Sequence, residues 1–164
     1  MHILFVTTAH NSLSQRLSIE LTERGHTVAI GLATSAERII RAAAEEQPDL
    51  IVAPMLKRAI PEQIWRQYTC LIVHPGIKGD RGPSSLDWAI STGMHTWGVS
   101  VLQAIDEMDA GPIWSTRTFR MPGRPVSKSS LYRAEVTEAA VSCVLEAVAR
   151  FESGTFEQIG RAHV

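Results

Sequence analysis

The sequence predicts an α/β domain: a mostly parallel, doubly wound, Rossmann-like sheet with an antiparallel hairpin and a C-terminal helix. Two observations predict it. Short, apolar, β-branched runs alternate with capped amphipathic stretches as far as Ser91, the pattern of parallel strands joined by crossover helices. Beyond that, two strand-like segments, Trp97 to Ala104 and Pro112 to Phe119, are joined by Ile105-Asp106-Glu107-Met108-Asp109-Ala110-Gly111, a link too short for a crossover helix and therefore antiparallel.

Each element has its own signal. His2 to Thr7 is a first strand, apolar on both faces. Ser12 to Arg24 is a helix, with Ser12 and Gln15 as a capping box and Gly25 as its stop. His26 to Ala33 is the second strand, and Thr34 with Glu37 repeats the box for a helix through Glu46 that Pro48 ends. Asp49 to Ala53 is the third strand, and a short helix from Pro61 leads to a fourth, Cys70 to His74. Ser84 and Asp87 open a helix to about Ser91, and after the hairpin a long helix runs from Leu131 to Phe151, capped by Ser127 to Ser130 and stopped by Gly154.

Composition narrows the class. A 164-residue chain with 45% hydrophobic and 20% charged residues reads as one globular domain. Its net charge of −1 gives no electrostatic footprint for nucleic acid or an anionic membrane. Cys70 and Cys143 sit in apolar runs and read as buried thiols in a reducing, cytoplasmic compartment. The six histidines show no metal-ligand spacing, so no metal is expected.

The chemistry is expected at one sheet edge. His74 ends a buried strand and is followed by Pro75-Gly76-Ile77-Lys78-Gly79-Asp80-Arg81-Gly82-Pro83, a glycine- and proline-rich loop. In open α/β sheets ligands bind outside the carboxyl ends of the strands. The first strand-to-helix turn, Thr7 to Ser12, faces the same edge but lacks both the dinucleotide and the P-loop glycine fingerprints. Asn11, Ser14 and Arg16 there are candidates for holding an anion at a helix N-terminus.

Several separate motifs then occur in order: His74-Pro75-Gly76, Arg81-Gly82-Pro83 with Trp88-Ala89-Ile90, Trp97-Gly98-Val99-Ser100-Val101, and Met108-Asp109-Ala110-Gly111-Pro112. Together they resemble the catalytic core of the 10-formyltetrahydrofolate-dependent formyltransferases. A closer resemblance is to the HypX (HoxX) family of nickel–iron hydrogenase maturation proteins. It is carried by Asn11-Ser12-Leu13-Ser14-Gln15-Arg16, Ala53-Pro54 through Lys57-Arg58-Ala59-Ile60-Pro61, Gly79 to Pro83, and Lys128-Ser129-Ser130-Leu131-Tyr132-Arg133.

The resemblance implies a formyltransferase-like enzyme with 10-formyltetrahydrofolate as formyl donor. It makes His74 and Asp109 the catalytic pair and places the substrate against Asn11, Gln15, Arg16, Leu56, Lys57, Ile60, Arg81, Gly82 and Asp106. Formyl transfer passes through a tetrahedral carbon bearing an oxyanion. An imidazole beside that carbon handles the proton, and a carboxylate orients the ring and favours its protonated form.

One residue departs from the pattern. The transferases carry Asn two positions before the histidine, where this chain has Ile72, which cannot donate a hydrogen bond. Gln15 and Asn11 are the side chains at that edge that can substitute. In the HypX family the formyl group feeds synthesis of the hydrogenase carbon monoxide ligand through a second, enoyl-CoA-hydratase-like domain, with coenzyme A possible in the full-length protein. The expected layout is a folate-binding domain over residues 1–157, that second domain absent, and a non-native tail, Ile159 to Val164, matching the peptide a common sequencing adapter encodes in one frame. The alternatives are a folate-binding module of weak catalysis, or an enzyme like methionyl-tRNA formyltransferase with another acceptor. Small-molecule folate and the absent domain are the expected partners, with no nucleic acid and no membrane.

Overall fold

The computed structural model describes residues 1–80, 85–123 and 125–155. Arg81, Gly82, Ser84 and the tail from Ile159 lie outside the described residues, and with them the expectations placed on them.

Six strands form one sheet: β1 (His2–Thr7), β2 (Thr27–Leu32), β3 (Leu50–Ala53), β4 (Cys70–His74), β5 (Thr96–Gln103) and β6 (Ile113–Arg120), in the order β2-β1-β3-β4-β5-β6. The first four are parallel; β5 runs antiparallel to β4, and β6 antiparallel to β5. The mixed, mostly parallel sheet follows from the lengths of the links. α1 (Ser12–Glu23), α2 (Ala36–Glu46) and α3 (Glu62–Gln67) each return the chain to start a parallel strand.

The central strands are apolar on both faces through their middles, because both faces of the sheet are covered. On β1, Ile3 and Phe5 join a core with Leu13, Leu17 and Leu21 of α1, whereas Leu4 and Val6 join a second core with Ile39 and Ala43 of α2. β3 and β4 divide in the same way: Leu50, Val52, Leu71 and Val73 lie on the α1 side, and Ile51, Ala53, Cys70 and Ile72 on the α2 side. Each fully buried leucine or isoleucine stabilises the fold by about 1.5–3 kcal/mol relative to leaving it exposed.

The caps fall one residue away from their expected places. Asn11, not Ser12, caps α1 by accepting from the Ser14 N–H at 3.1 Å, and Ser35, not Thr34, caps α2 by accepting from Arg38. In both cases two neighbouring residues could cap, and tertiary placement of the preceding strand decides between them. The stops at Gly25 and Gly154 stand as read, both with left-handed backbone.

The long C-terminal helix starts earlier than expected and is interrupted. α4 (Ser85–Ser91) precedes β5, and α5 (Lys128–Leu131), capped by Ser127, passes into a π turn over Tyr132–Val136 before α6 (Thr137–Ser153). Leu131 and Val136 are both buried, five residues apart. That spacing puts them on one face of a π turn but on different faces of an α-helix. The Thr137 hydroxyl donates to the Tyr132 carbonyl at 2.6 Å, satisfying an oxygen at the widened turn. Among the described residues no helix is long and apolar enough to cross a membrane.

Burial pushes the Cys70 thiol up to about 12 and the Cys143 thiol up to about 11. Neither is therefore a thiolate at neutral pH, and thiolate is the reactive form. Both should resist a thiol-specific disulfide reagent at pH 7 in the native protein and react fully in guanidinium. Rapid labelling of either without denaturant would contradict this packing.

Candidate active site

β4 delivers His74 to the carboxyl edge of the sheet, where its side chain is only 4% exposed. The turn after it is pinned from β5. Ser100, the register partner of His74, donates from its hydroxyl to the Gly76 carbonyl at 3.0 Å, and the Trp97 indole N–H donates to the Pro75 carbonyl at 3.0 Å. Gly76 has no side chain because there is no room for one: a Cβ there would stand 2.5 Å from the His74 Nε2.

Two carboxylates flank the ring. Asp80 Oδ2 lies 2.9 Å from His74 Nε2, a hydrogen bond, and Asp109 Oδ2 lies 3.6 Å from Nδ1, an ion-pair contact beyond hydrogen-bond length. Sequence reasoning singled out Asp109 and passed over Asp80. The available signal was Gly79: its backbone takes φ +92°, which turns the loop so that Asp80 comes back against the imidazole.

Asp109 reaches the ring by a reversal of the chain. β5 ends opposite the start of β4, with Gln103 paired to Leu71 and the Ala104 N–H donating to the Cys70 carbonyl at 2.8 Å. The loop then folds back along the Ile72 side of the sheet as far as His74. Asp109 itself sits at φ +55°, a left-handed conformation that Asp tolerates better than most residues. At Gly111 the backbone packs so closely on the Gln103 carbonyl that any Cβ would overlap it.

The site opens into a cavity of about 640 Å³. Leu56, Ile60, Trp65, Ile72 and Ala104 form an apolar wall, with Lys57, Arg58, Asp106 and Asp109 as polar groups around it. The two loops that frame it are tied together at the strand ends. The Thr7 hydroxyl donates to the Met55 carbonyl at 3.0 Å, and the Lys57 N–H donates to the Thr8 hydroxyl at 2.9 Å. His74 lies at the sheet edge on the face of Ile72, and Asn11, Leu86, Lys128, Tyr132 and Val136 extend the lining to the α1 side of the sheet.

Of the residues named from the sequence, the structure brings together Asn11, Leu56, Lys57, Ile60, His74, Asp106 and Asp109 around one cavity. Gln15 and Arg16 lie outside its lining. The Gln15 amide donates to the His10 carbonyl at 3.0 Å, and Arg16 is ion-paired with Glu138 of α6, which lowers the carboxyl and raises the guanidinium. Tyr132 and Trp65 line the cavity without having been singled out. Trp65 looks like an ordinary core aromatic in sequence; Tyr132 lies within the Lys128 to Arg133 segment that carries the resemblance, but nothing local marked its hydroxyl.

The structure is an α/β domain whose mostly parallel sheet sets an imidazole between two carboxylates on the wall of an apolar cleft. The chain belongs to the formyl transferase family, whose model matches residues 2–147. Hydrogenase maturation factor HoxX of Bradyrhizobium diazoefficiens is 54% identical over 94% of this chain, which spans 27% of that protein. A crystal structure of HypX from Aquifex aeolicus in complex with tetrahydrofolic acid superposes with a TM-score of 0.93 at 51% identity, covering 98% of this chain and 28% of that one. Methionyl-tRNA formyltransferase from Clostridium thermocellum, 20% identical with a TM-score of 0.72, covers 98% of this chain and 68% of that one and shares the fold. The resemblance to the HypX family thus extends over nearly the whole chain, while the chain spans little more than a quarter of these longer relatives.

The close approach at Gly111 sets a test of how Asp109 is positioned. Gly111→Ala should destabilise the domain by about 1–3 kcal/mol, as overpacking does, because the obstacle is backbone and cannot swing away. A urea midpoint equal to that of the parent would show that the reversal is not held by this contact.

Proposed function

We propose that this domain binds 10-formyltetrahydrofolate and catalyses removal of its formyl group, with His74 as the proton-transfer residue. In the longer protein this would be the first step of carbon monoxide ligand synthesis in nickel–iron hydrogenase maturation. The observation that carries the reading is the near-complete burial of His74 between Asp80 and Asp109, at the wall of a cavity built from the two loops that also carry Leu56, Lys57, Ile60 and Asp106. The tetrahydrofolate held by the similar Aquifex aeolicus HypX supports the choice of ligand.

The cavity suits a reduced folate. A flat pterin needs apolar contact on its faces, which Leu56, Ile60, Trp65 and Ile72 offer, and polar groups at its edge, which Asp106 and Asp109 offer. Lys57 and Arg58 at the rim are cations for the glutamate carboxylates at the other end of the molecule.

The transfer balances with this chain's own groups. A nucleophile attacks the formyl carbon with its lone pair, and the carbonyl π pair moves to oxygen. His74, with its Nε2–H donated to Asp80, takes at Nδ1 the proton that the nucleophile sheds. As the oxyanion collapses, the bond to the folate nitrogen breaks, and the nitrogen leaves with that pair and receives the proton from His74. With water as nucleophile the products are formate and tetrahydrofolate. Asp80 and Asp109 keep the ring oriented through the cycle, and the buried setting strengthens their hold. A thiol or amine as acceptor, coenzyme A among them, and the second, enoyl-CoA-hydratase-like domain that would use the product, belong to the longer protein.

A second reading has one observation in its favour. Ile72 puts a side chain without a donor where the family's asparagine would stand, and losing one oxyanion donor costs about a hundredfold or more in turnover in other enzymes. On that reading the domain holds folate and does little chemistry.

His74→Ala separates the two. If the imidazole moves the proton, the variant should keep its affinity for a stable formyl-folate analogue by calorimetry and lose release of formate from 10-formyltetrahydrofolate. A parent that binds the analogue but releases no formate would assign the domain to binding alone, and unchanged release in the variant would take the proton transfer away from His74. Absence of any heat of binding in the folded parent would remove folate from both readings.

A further inference from the structure

Ile72 leaves the formyl oxygen without the donor that the transfer chemistry calls for, so the side chains lining the cavity can be asked which of them has an N–H or O–H to spare. Lys128, its side chain 53% exposed, is ion-paired with Asp87 at 2.6 Å, and Arg58 is exposed and donates to the Thr34 carbonyl at 3.0 Å, so both, though they keep further N–H groups, stand at the rim. His74 is already committed to the proton transfer, with Nε2 hydrogen-bonded to Asp80. Lys57 stands on the Met55 to Ile60 loop, at the rim that suits the glutamate end of a folate. The Trp65 indole packs into the apolar wall with Leu56 and Ile72, which leaves Asn11 and Tyr132, and they are bonded to each other.

The direction of that bond can be worked out. Asn11 Oδ1 accepts from the Ser14 backbone N–H at 3.1 Å, and a backbone N–H can only donate, so the amide orientation is fixed. Asn11 Nδ2 therefore donates to the Tyr132 hydroxyl oxygen, at 3.3 Å. The phenol is the acceptor in this contact, and its own hydrogen has no acceptor among the described residues. Both side chains line the cavity alongside His74. Burial moves the phenol above its ordinary value, against a smaller opposing effect of the Asn11 bond, so it keeps its proton at neutral pH. Tyr132 also opens the π turn, the interruption that lets Leu131 and Val136 both enter the core beside it. Such turns recur at functional sites.

We propose that the Tyr132 hydroxyl is a catalytic residue that donates to the formyl oxygen, in place of the amide that Ile72 lacks, and that Asn11 is the positioning residue that aims it. This rests on the folate reading above. In the step already balanced, the phenol hydrogen meets the oxygen that receives the carbonyl π pair, and it returns to a weaker bond when that pair re-forms the carbonyl of the product. No proton leaves Tyr132. An isolated neutral donor of this kind stabilises the tetrahedral state more than the ground-state carbonyl, because charge develops on the oxygen only in the former.

Two substitutions test it. Tyr132→Phe keeps the ring and deletes the hydroxyl. Asn11→Asp keeps the cap, since a carboxylate accepts from the Ser14 N–H equally well, but its second oxygen can only accept, so it draws the phenol hydrogen away from the cavity. Each should lower the rate of formate release about a hundredfold, and the double variant should be no slower than either alone. Binding provides a readout independent of turnover. The parent should prefer a stable 10-formyl folate analogue over the same analogue without its formyl group, and Tyr132→Phe should lose about tenfold of that preference while binding the formyl-free compound normally. Full turnover in Tyr132→Phe, or an undiminished formyl preference, would overturn the assignment of Tyr132 and leave the folate site standing. Asn11→Asp at parental rate would overturn the aiming role. A parent that binds neither analogue would overturn the folate reading and this inference with it. Thermal midpoints of both variants close to the parent's distinguish these results from a loss of fold.

Discussion

The reversal of the loop after β5 is the constraint on which the site depends. β5 is antiparallel to β4, so its end lies beside Cys70 and Leu71, at the wrong end of the strand for chemistry at His74. A carboxylate reaches the imidazole only because the chain doubles back along the sheet, with Gly111 pressed on the Gln103 carbonyl and Asp109 in a left-handed conformation. The same path makes Ala104 to Asp109 one wall of the cavity. One loop therefore supplies both a binding surface and an orienting charge, and a shift in it would disturb both.

His74 is held from its other side by a device of a different kind. Asp80 follows the imidazole by only six residues, and its contact is local, made by Gly76 and Gly79 in a tight loop rather than by the sheet. The pair has the shorter distance, 2.9 Å against 3.6 Å for Asp109. A ring held by a carboxylate on each nitrogen has little orientational freedom.

The strands, their directions and the position of His74 were legible in the sequence because they rest on local signals: β-branched apolar runs, the short link between Ala104 and Pro112, and a histidine before a glycine-rich loop. Asp109 was legible only through its resemblance to a family pattern, since an Asp-Ala-Gly turn alone looks structural. The rest was hidden for physical reasons. Which of Asn11 or Ser12 caps α1 depends on where β1 leaves the sheet, and propensity does not separate them. The π turn is invisible to a reading by α-helical period, although the five-residue spacing of Leu131 and Val136 is its trace. Asp80 and Tyr132 needed three dimensions, one because a loop folds on itself and the other because 121 residues separate it from Asn11.

Ile72 connects these observations. In β4 it shares a face with His74 two residues on, so whatever stands at this position looks into the cavity beside the imidazole. An asparagine there offers an amide but interrupts an apolar wall; an isoleucine completes the wall with Ile60 and Trp65 and leaves polar duty to side chains arriving from elsewhere. Those arrive across the sheet edge, from the cap of α1 and the head of the π turn, so the cavity extends from the α2 side of the sheet to the α1 side. One half is apolar, and the half bearing Asn11, Tyr132 and Lys128 offers polar groups. A formyl group carried between them would sit at the edge of the sheet itself, where the strand that ends in His74 points.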